Sequence, residues 1–163
     1  MGLEEARGHS PQRRTYLIRI KGGNPVTNAS FGQLKESKLY VPHEYIFDDL
    51  DNPNYDDEEE EGCGEDYILF KPQIAKRILL DFRRESGGCK ELLVHCFNGE
   101  GRSPAVGLGL NNLFDLGEDS ELFSARYPKL NKLVYSIMLR TGYELRKELG
   151  LKTKTIKALE TLL

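Results

Sequence analysis

Hydrophobic and polar positions change their period several times along the chain, and each change predicts a strand or a helix. The β-rich run Thr15–Ile20 predicts a first strand, and residues 39–47 predict a second extended segment. Over Pro72–Arg84 the apolar residues recur with the spacing of a helix that buries one side. The short apolar run Glu91–His95 predicts a buried strand, and Ser103–Leu116 predicts the helix that follows it.

The order of these elements indicates an α/β layered fold, because strands and helices alternate along the chain. Three more helices are predicted, at residues 119–126, 130–149 and 152–162. A chain of 163 residues is long enough to bury an independent core. We therefore expect a single domain over residues 1–163.

Acidic residues are concentrated in one segment. Residues 44–66 hold 12 of the 26 acidic residues and no Lys or Arg, although the whole chain carries a net charge of only −3. A run of like charges such as Asp56–Glu61 repels itself and does not pack. The pattern predicts a mobile surface loop at residues 52–66.

Hydropathy and cysteine content give expectations about location. The chain has no run of about 18 apolar residues, and its first residues lack the apolar core of a secretory signal. Its three Cys are an odd number, which argues against a disulfide framework. We expect a cytoplasmic protein that keeps its thiols reduced and binds neither a membrane nor nucleic acid.

The stretch Leu92–Ser103 carries the residues with the clearest chemistry. Cys96 follows a predicted strand, Arg102 comes six positions later, and Pro104 then favours the first turn of a helix. A loop between a strand end and a helix N-terminus directs backbone N–H groups and a positive dipole end at one point, which suits a phosphate-sized anion. A cysteine in that position loses its proton more readily and becomes a nucleophile for phosphorus.

The neighbouring residue types fit the same chemistry. Arg102 offers a planar fork that binds two phosphate oxygens at once, which Lys cannot do. Gly99 and Gly101 allow the backbone to turn its N–H groups inward. We expect Ser103 to stabilise the thiolate as a leaving group, and His95 to order the loop through its ring nitrogens.

The string His95-Cys96-x-x-Gly99-x-x-Arg102-Ser103 resembles the signature of the cysteine-based protein tyrosine phosphatases, and all five fixed positions match. The compact length is similar to the dual-specificity branch and to the small predicted tyrosine phosphatases of prokaryotes. The resemblance extends from the second predicted strand to the penultimate predicted helix and is strongest at the signature.

This resemblance implies a fold, a reaction and a set of site residues. The implied fold is a central, mostly parallel sheet of four to five strands flanked by helices, as in protein tyrosine phosphatases. The implied reaction is hydrolysis of phosphomonoesters on a protein or peptide through a cysteinyl-phosphate, by a monomer that needs no metal or other cofactor. The implied phosphate-binding residues are Phe97, Asn98, Gly99, Glu100, Gly101 and Arg102. The implied catalytic residues are Cys96, Arg102, Ser103, His95 and a general acid.

The general acid must protonate the leaving oxygen of the ester. In the family that acid is an Asp at a strand end upstream of the Cys, and Asp48, Asp49 and Asp51 all follow the second predicted strand. When Phe47 is aligned with the apolar position of the family pattern, the resemblance favours Asp49. Asp48 and Asp51 remain alternatives.

Other functions stay open on the sequence. An RNA 5′-phosphatase or a phosphoinositide phosphatase of the same superfamily would favour Lys or Arg inside the loop, where this chain has Glu100. We expect Glu100 to point outward and to disfavour highly anionic substrates, because like charges repel. A non-catalytic module that binds phosphoresidues would lack Cys96 or the acid. Sulfur transfer of the rhodanese type also uses a loop Cys, but His95 and the Arg102-Ser103 pair fit phosphate better.

Overall fold

A computed structural model describes residues 1–50 and 67–162 of the chain. Within them the chain forms three strands and eight helices. The strands are β1 (Thr15–Lys21), β2 (Tyr40–Ile46) and β3 (Glu91–His95). The helices are α1 (Leu3–Gly8), α2 (Pro25–Phe31), α3 (Pro72–Glu85), α4 (Arg102–Phe114), α5 (Ser120–Arg126), α6 (Lys132–Glu144), α7 (Arg146–Leu149) and α8 (Thr153–Leu162).

The strands form one parallel sheet in the order β2-β1-β3. β1 lies in the middle, where Arg19 is opposite Glu44 of β2 and His95 of β3. The α/β architecture agrees with the sequence, but the described residues contain three strands rather than the expected four to five. The stretches on either side of β1 form the helices α1 and α2, so neither of them adds a strand.

The ends of β2 and β3 define one edge of the sheet, because parallel strands all finish on the same side. Phe47, Asp48 and Asp49 directly follow β2, and Cys96 directly follows β3. Residues that are about 50 positions apart in the sequence therefore converge at the carboxyl edge of the sheet, which is where open α/β sheets bind ligands.

The main core lies between one face of the sheet and the helices α3, α4 and α6. Tyr16, Ile18 and Ile20 alternate along β1 and are all buried in this core, as the two-residue period of a strand requires. Helices α4 and α6 approach closely, since a Cβ on Gly109 would lie 3.0 Å from the Cβ of Met138. This packing fixes α4, and with it the loop that precedes α4.

The opposite face of the sheet buries a smaller group of residues. Leu17 and Leu93 are buried outside the main core, and Phe31 of α2 stacks on the ring of His95 with the ring centres 5.2 Å apart. The Arg19 guanidinium lies 5.3 Å from the centre of the same Phe31 ring. The end of β3, immediately before Cys96, therefore packs against side chains on both faces of the sheet.

Most predicted boundaries agree with the structure to within two residues. One exception is the long helix predicted at residues 130–149, which is divided near Leu145 into α6 and α7. The acidic loop predicted at residues 52–66 and Asp51 lie outside the described residues. None of the described helices is long and apolar enough to cross a membrane.

Candidate active site

Cys96 begins the loop that joins β3 to α4. The residue is buried, with 1% of its surface exposed. The Gly99 N–H donates to Cys96 Sγ at 3.2 Å, and the Ser103 hydroxyl lies 3.3 Å from the same sulfur. The loop therefore directs one backbone N–H at the sulfur, which is the atom that would act as a nucleophile.

The loop closes around the sulfur because glycine occupies its sharpest turn. Gly99 has a φ of +81°, a left-handed conformation that residues with a Cβ rarely adopt. Gly101 directly precedes α4, a helix of 13 residues whose N-terminal end faces the loop. Its first N–H groups lack partners within the helix and are available to an anion in the loop.

Arg102 folds back from the first position of α4 toward the end of β2. The residue is 9% exposed, and its Nη1 donates to the Phe47 carbonyl at 2.8 Å. Its Nε is buried without a hydrogen-bond partner and lies 3.9 Å from Asp49 Oδ2, which is beyond hydrogen-bond distance. The Phe47 carbonyl thus fixes the guanidinium, which retains donor capacity for an oxyanion.

Asp49 approaches the loop from the end of β2. Its carboxylate lies against Gly101, where any Cβ would collide with both carboxylate oxygens. The Asp49 side chain is 41% exposed, whereas the neighbouring Arg102 side chain is 10% exposed. The carboxyl group therefore stands at the open side of the loop that holds Cys96, as a proton donor to a bound ester requires.

Asp48 has a different role from Asp49. Both of its oxygens accept the Gly23 N–H at 3.0 Å, and Oδ2 also accepts the Ile68 N–H at 2.8 Å. Its carboxylate therefore links the turn after β1 to the backbone at Ile68. Among the described candidates, Asp49 is therefore the one whose carboxyl group lies at the loop, and Asp51 is outside the described residues.

Asn131, which precedes α6, links three parts of the site. Its Nδ2 donates to Asp49 Oδ1 at 2.9 Å and to the Leu50 carbonyl at 3.2 Å. Its Oδ1 accepts the Val134 N–H and caps α6, while its own N–H donates to the Gly101 carbonyl at 3.2 Å. The contact between Asn131 and Asp49 arises only from the tertiary structure, because the two residues lie 82 positions apart.

His95 is fully buried at the end of β3, and neither ring nitrogen makes a hydrogen bond. Burial, assisted by the positive charge of Arg19, lowers the pKa of the imidazole to about 4. The ring is therefore neutral near pH 7 and stacks on Phe31. Packing on Phe31 holds the ring next to the loop, and an interaction with the Cys96 backbone raises the imidazole pKa against the effect of burial. That His95 orders the loop through its ring nitrogens stays a prediction.

The outward-facing residues of the loop form its rim. Phe97 is 44% exposed, and Asn98 is also exposed. Glu100 points outward, as expected, and accepts a hydrogen bond from Lys129 Nζ at 3.0 Å. Both side chains of this ion pair are more than half exposed, so the pair adds little stability. Lys129 nevertheless offsets the negative charge of Glu100 at the rim.

The N-terminal residues also contact the loop, which the sequence did not predict. The Leu3 N–H donates to the Phe97 carbonyl at 3.0 Å, and the Ser103 hydroxyl donates to the Met1 carbonyl at 3.3 Å. No local sequence signal marks these contacts, because they join parts of the chain that are more than 90 positions apart. The loop of residues 96–101, called the anion loop below after its expected ligand, therefore contacts the N-terminal residues as well as α4.

The structure brings Cys96, Arg102, Ser103 and Asp49 together at one edge of the sheet. Comparisons of the chain with protein-family models, with curated proteins and with solved structures find no significant match. The functional interpretation of this site therefore rests on the geometry and chemistry of its own residues.

Proposed function

We propose that this protein is a phosphatase of the protein tyrosine or dual-specificity type, with the corresponding fold, that hydrolyses phosphomonoesters through a cysteinyl-phosphate. The observation that carries the proposal is the Gly99 N–H donating to Cys96 Sγ, with the Ser103 hydroxyl oxygen 3.3 Å from the same sulfur, in a loop bordered by Arg102 and Asp49. A nucleophile, an oxyanion ligand and an acid are the groups that this reaction needs.

In the first step, Cys96 Sγ attacks the phosphorus of the bound ester. A P–S bond forms, the P–O bond to the leaving group breaks, and Asp49 gives its proton to the leaving oxygen. Arg102 and the loop N–H groups hold the non-bridging oxygens, and they bind these oxygens more strongly as charge develops in the transition state.

In the second step, a water molecule attacks the phosphorus and Asp49 accepts the proton of that water. The P–S bond breaks, inorganic phosphate leaves, and Cys96 departs as a thiolate. The Gly99 N–H already points at the sulfur and stabilises the departing negative charge. The Ser103 hydroxyl lies 3.3 Å from the sulfur and stabilises it once its single hydrogen turns from the Met1 carbonyl to the sulfur. Protons and charge balance over the two steps with these groups alone.

We infer that the substrate is a phosphorylated protein or peptide and that the enzyme acts as a cytoplasmic monomer. A reducing compartment suits the mechanism because the thiol of Cys96 must stay free, and neither Cys89 nor Cys96 is in a disulfide. The rim pair of Glu100 and Lys129 presents both signs of charge to the substrate, which fits a peptide better than a polyanion.

Hydrolysis of a small aryl phosphate by the wild type and by Cys96→Ser tests the proposal. We expect the wild type to release phosphate and the variant to lose turnover, because a serine hydroxyl is not deprotonated near neutral pH. The variant should still bind phosphate or vanadate through the loop N–H groups. If it retained more than about a twentieth of wild-type turnover, Cys96 would not be the nucleophile.

The substrate class is tested by comparing kcat/KM for four substrates: a phosphotyrosine peptide, a phosphoserine peptide, an RNA with a 5′-phosphate and a phosphoinositide. The proposal predicts the highest value for one of the peptides. A preference for the RNA or the lipid would replace it with another activity of the same superfamily. Binding of a phosphopeptide without hydrolysis of any substrate would instead identify a non-catalytic binding module.

A further inference from the structure

The N-terminal residues Met1–Leu3 lie beside β3 and behind the anion loop. The Met1 amine donates to the Val94 carbonyl at 3.0 Å, and the Leu3 N–H donates to the Phe97 carbonyl at 3.0 Å. β3 is an edge strand of the described sheet, and the Met1 donor binds one acceptor on it. The Leu3 N–H binds the loop two residues beyond the end of β3.

The contact between this segment and the loop is close because both sides are glycine. A Cβ on Gly2 would lie 2.9 Å from the Asn98 carbonyl oxygen, nearer than real Cβ atoms come. A side chain on Gly99 would collide in turn with the backbone of Met1 and Gly2. The two backbones meet without a side chain between them, so a shift of one requires a shift of the other.

A further contact connects the segment to the nucleophile. The Ser103 hydroxyl donates to the Met1 carbonyl at 3.3 Å and lies at the same distance from Cys96 Sγ. The Met1 carbonyl therefore helps to fix the rotamer of the hydroxyl that contacts the sulfur.

Helix α1 and the residues after it anchor the segment. Leu3 and Ala6 are buried, with 4% and 0% of their surfaces exposed. Arg7 Nη2 donates to the Ser30 carbonyl at 2.6 Å, and the His9 ring lies 2.8 Å from the Tyr40 hydroxyl. These contacts hold the helix in place and, through it, the three residues that touch the loop.

We propose that Met1–Leu3 are a positioning element of the anion loop. They hold the backbone of residues 97–99, and with it the Gly99 N–H that donates to Cys96 Sγ, and they fix the Ser103 side chain beside that sulfur. The effect on turnover rests on the proposed function, whereas the effect on anion binding does not. The segment acts through the loop backbone, and even small displacements of a catalytic group lower the rate by an order of magnitude or more.

Two alanine variants of the same segment form a matched test. Gly2→Ala places a methyl group against the Asn98 carbonyl, and Gly8→Ala places it in open space. We expect Gly2→Ala to lower kcat for an aryl phosphate about tenfold or more, and to weaken phosphate binding by a similar factor. Gly8→Ala should change neither by more than about twofold. If both variants are folded and have the same kinetics and binding, the proposal is overturned.

A measurement on the unmodified chain keeps the test independent of whether Gly2→Ala folds. Amide hydrogen exchange at Leu3 reports its hydrogen bond to the Phe97 carbonyl. If the segment favours anion binding, vanadate must stabilise the segment in return, and we expect Leu3 exchange to slow at least about threefold. The Glu121 amide, which donates to the Asp119 cap of α5, is the control. If vanadate left the exchange rate of the Leu3 amide unchanged, the proposal would be contradicted.

The experiments separate this inference from the proposed function. If the wild type binds phosphate but hydrolyses no phosphomonoester, the phosphatase function fails, and the binding and exchange measurements still decide the role of Met1–Leu3. If the wild type is active and Gly2→Ala behaves like Gly8→Ala, the positioning role fails and the phosphatase function is unaffected.

Discussion

Replacing Asp48 and Asp49 separately by Asn tests whether two adjacent carboxylates have different roles. The Asp49 carboxylate lies at the open side of the anion loop, against Gly101 and 3.9 Å from Arg102 Nε. The Asp48 carboxylate accepts the backbone N–H groups of Gly23 and Ile68. The account therefore predicts a catalytic defect for Asp49→Asn and a stability defect for Asp48→Asn.

The two magnitudes follow from these contacts. Loss of a general acid typically lowers the rate by about 10²–10⁴-fold, so Asp49→Asn should raise the barrier for a poor leaving group by about 3–5 kcal/mol. A hydrogen bond to a charged group contributes about 1.5–3 kcal/mol, and an amide at position 48 keeps one of the two acceptors. Asp48→Asn should therefore lose about 1–3 kcal/mol, or about 3–9 °C in Tm.

The assay compares phenyl phosphate, a poor leaving group, with nitrophenyl phosphate, a good one. Asp49→Asn should lower kcat strongly for the first substrate and less than about tenfold for the second, with Tm nearly unchanged. Asp48→Asn should lower Tm and leave the ratio of the two kcat values as in the wild type. If the leaving-group effect followed Asp48 instead of Asp49, the assignment of the acid would be refuted.

Three further predictions concern other residues of the site. Arg102→Lys should lower kcat/KM by about a hundredfold or more, because a point charge cannot rebuild a contact with two oxygens, and a loss below about tenfold would show that the loop N–H groups suffice. Asn131→Ser keeps a cap on α6 but loses the contact with Asp49, so kcat for phenyl phosphate should fall about tenfold with little change in Tm. The control is Asp119→Ser, which alters only the cap of α5 and should leave kcat unchanged. The pKa of His95 is lowered from 6.5 to about 4, so the unfolded state binds more protons than the folded state between these pH values. The free energy of unfolding, measured with urea, should therefore fall by up to about 1.4 kcal/mol per pH unit as the pH decreases from 6.5 to 4. His95→Gln should lack that pH dependence.

The elements that pack the core are predictable from local patterns. β3 has the predicted bounds, and α3 has the predicted one-sided burial, because a short apolar run and a helical period are properties of neighbouring residues. The division between α6 and α7 near Leu145 was not predicted, since apolar residues continue through it and the nearby Gly142 lies within α6 rather than at its end. The strand count came from the resemblance and not from any local pattern, and the described sheet has three strands.

The loop that joins β3 to α4 was also predictable from local patterns, because the strand before it and the helix after it are neighbours in the sequence and place Cys96 and Arg102. The distinction between Asp48 and Asp49 was not, since it arises from partners that lie far along the chain. Asn131, for example, is 82 positions from Asp49. Contacts of this kind depend on tertiary structure and leave no pattern in one sequence.

The proposed mechanism requires Cys96 to carry the phosphoryl group during turnover. Rapid acid quenching of the enzyme with an aryl phosphate, followed by peptide mass spectrometry, measures this directly. We expect one phosphoryl group on the peptide that contains Cys96, with none on that peptide in Cys96→Ser. Phosphate release without a phosphorylated cysteine, or a phosphoryl group on another residue, would contradict it.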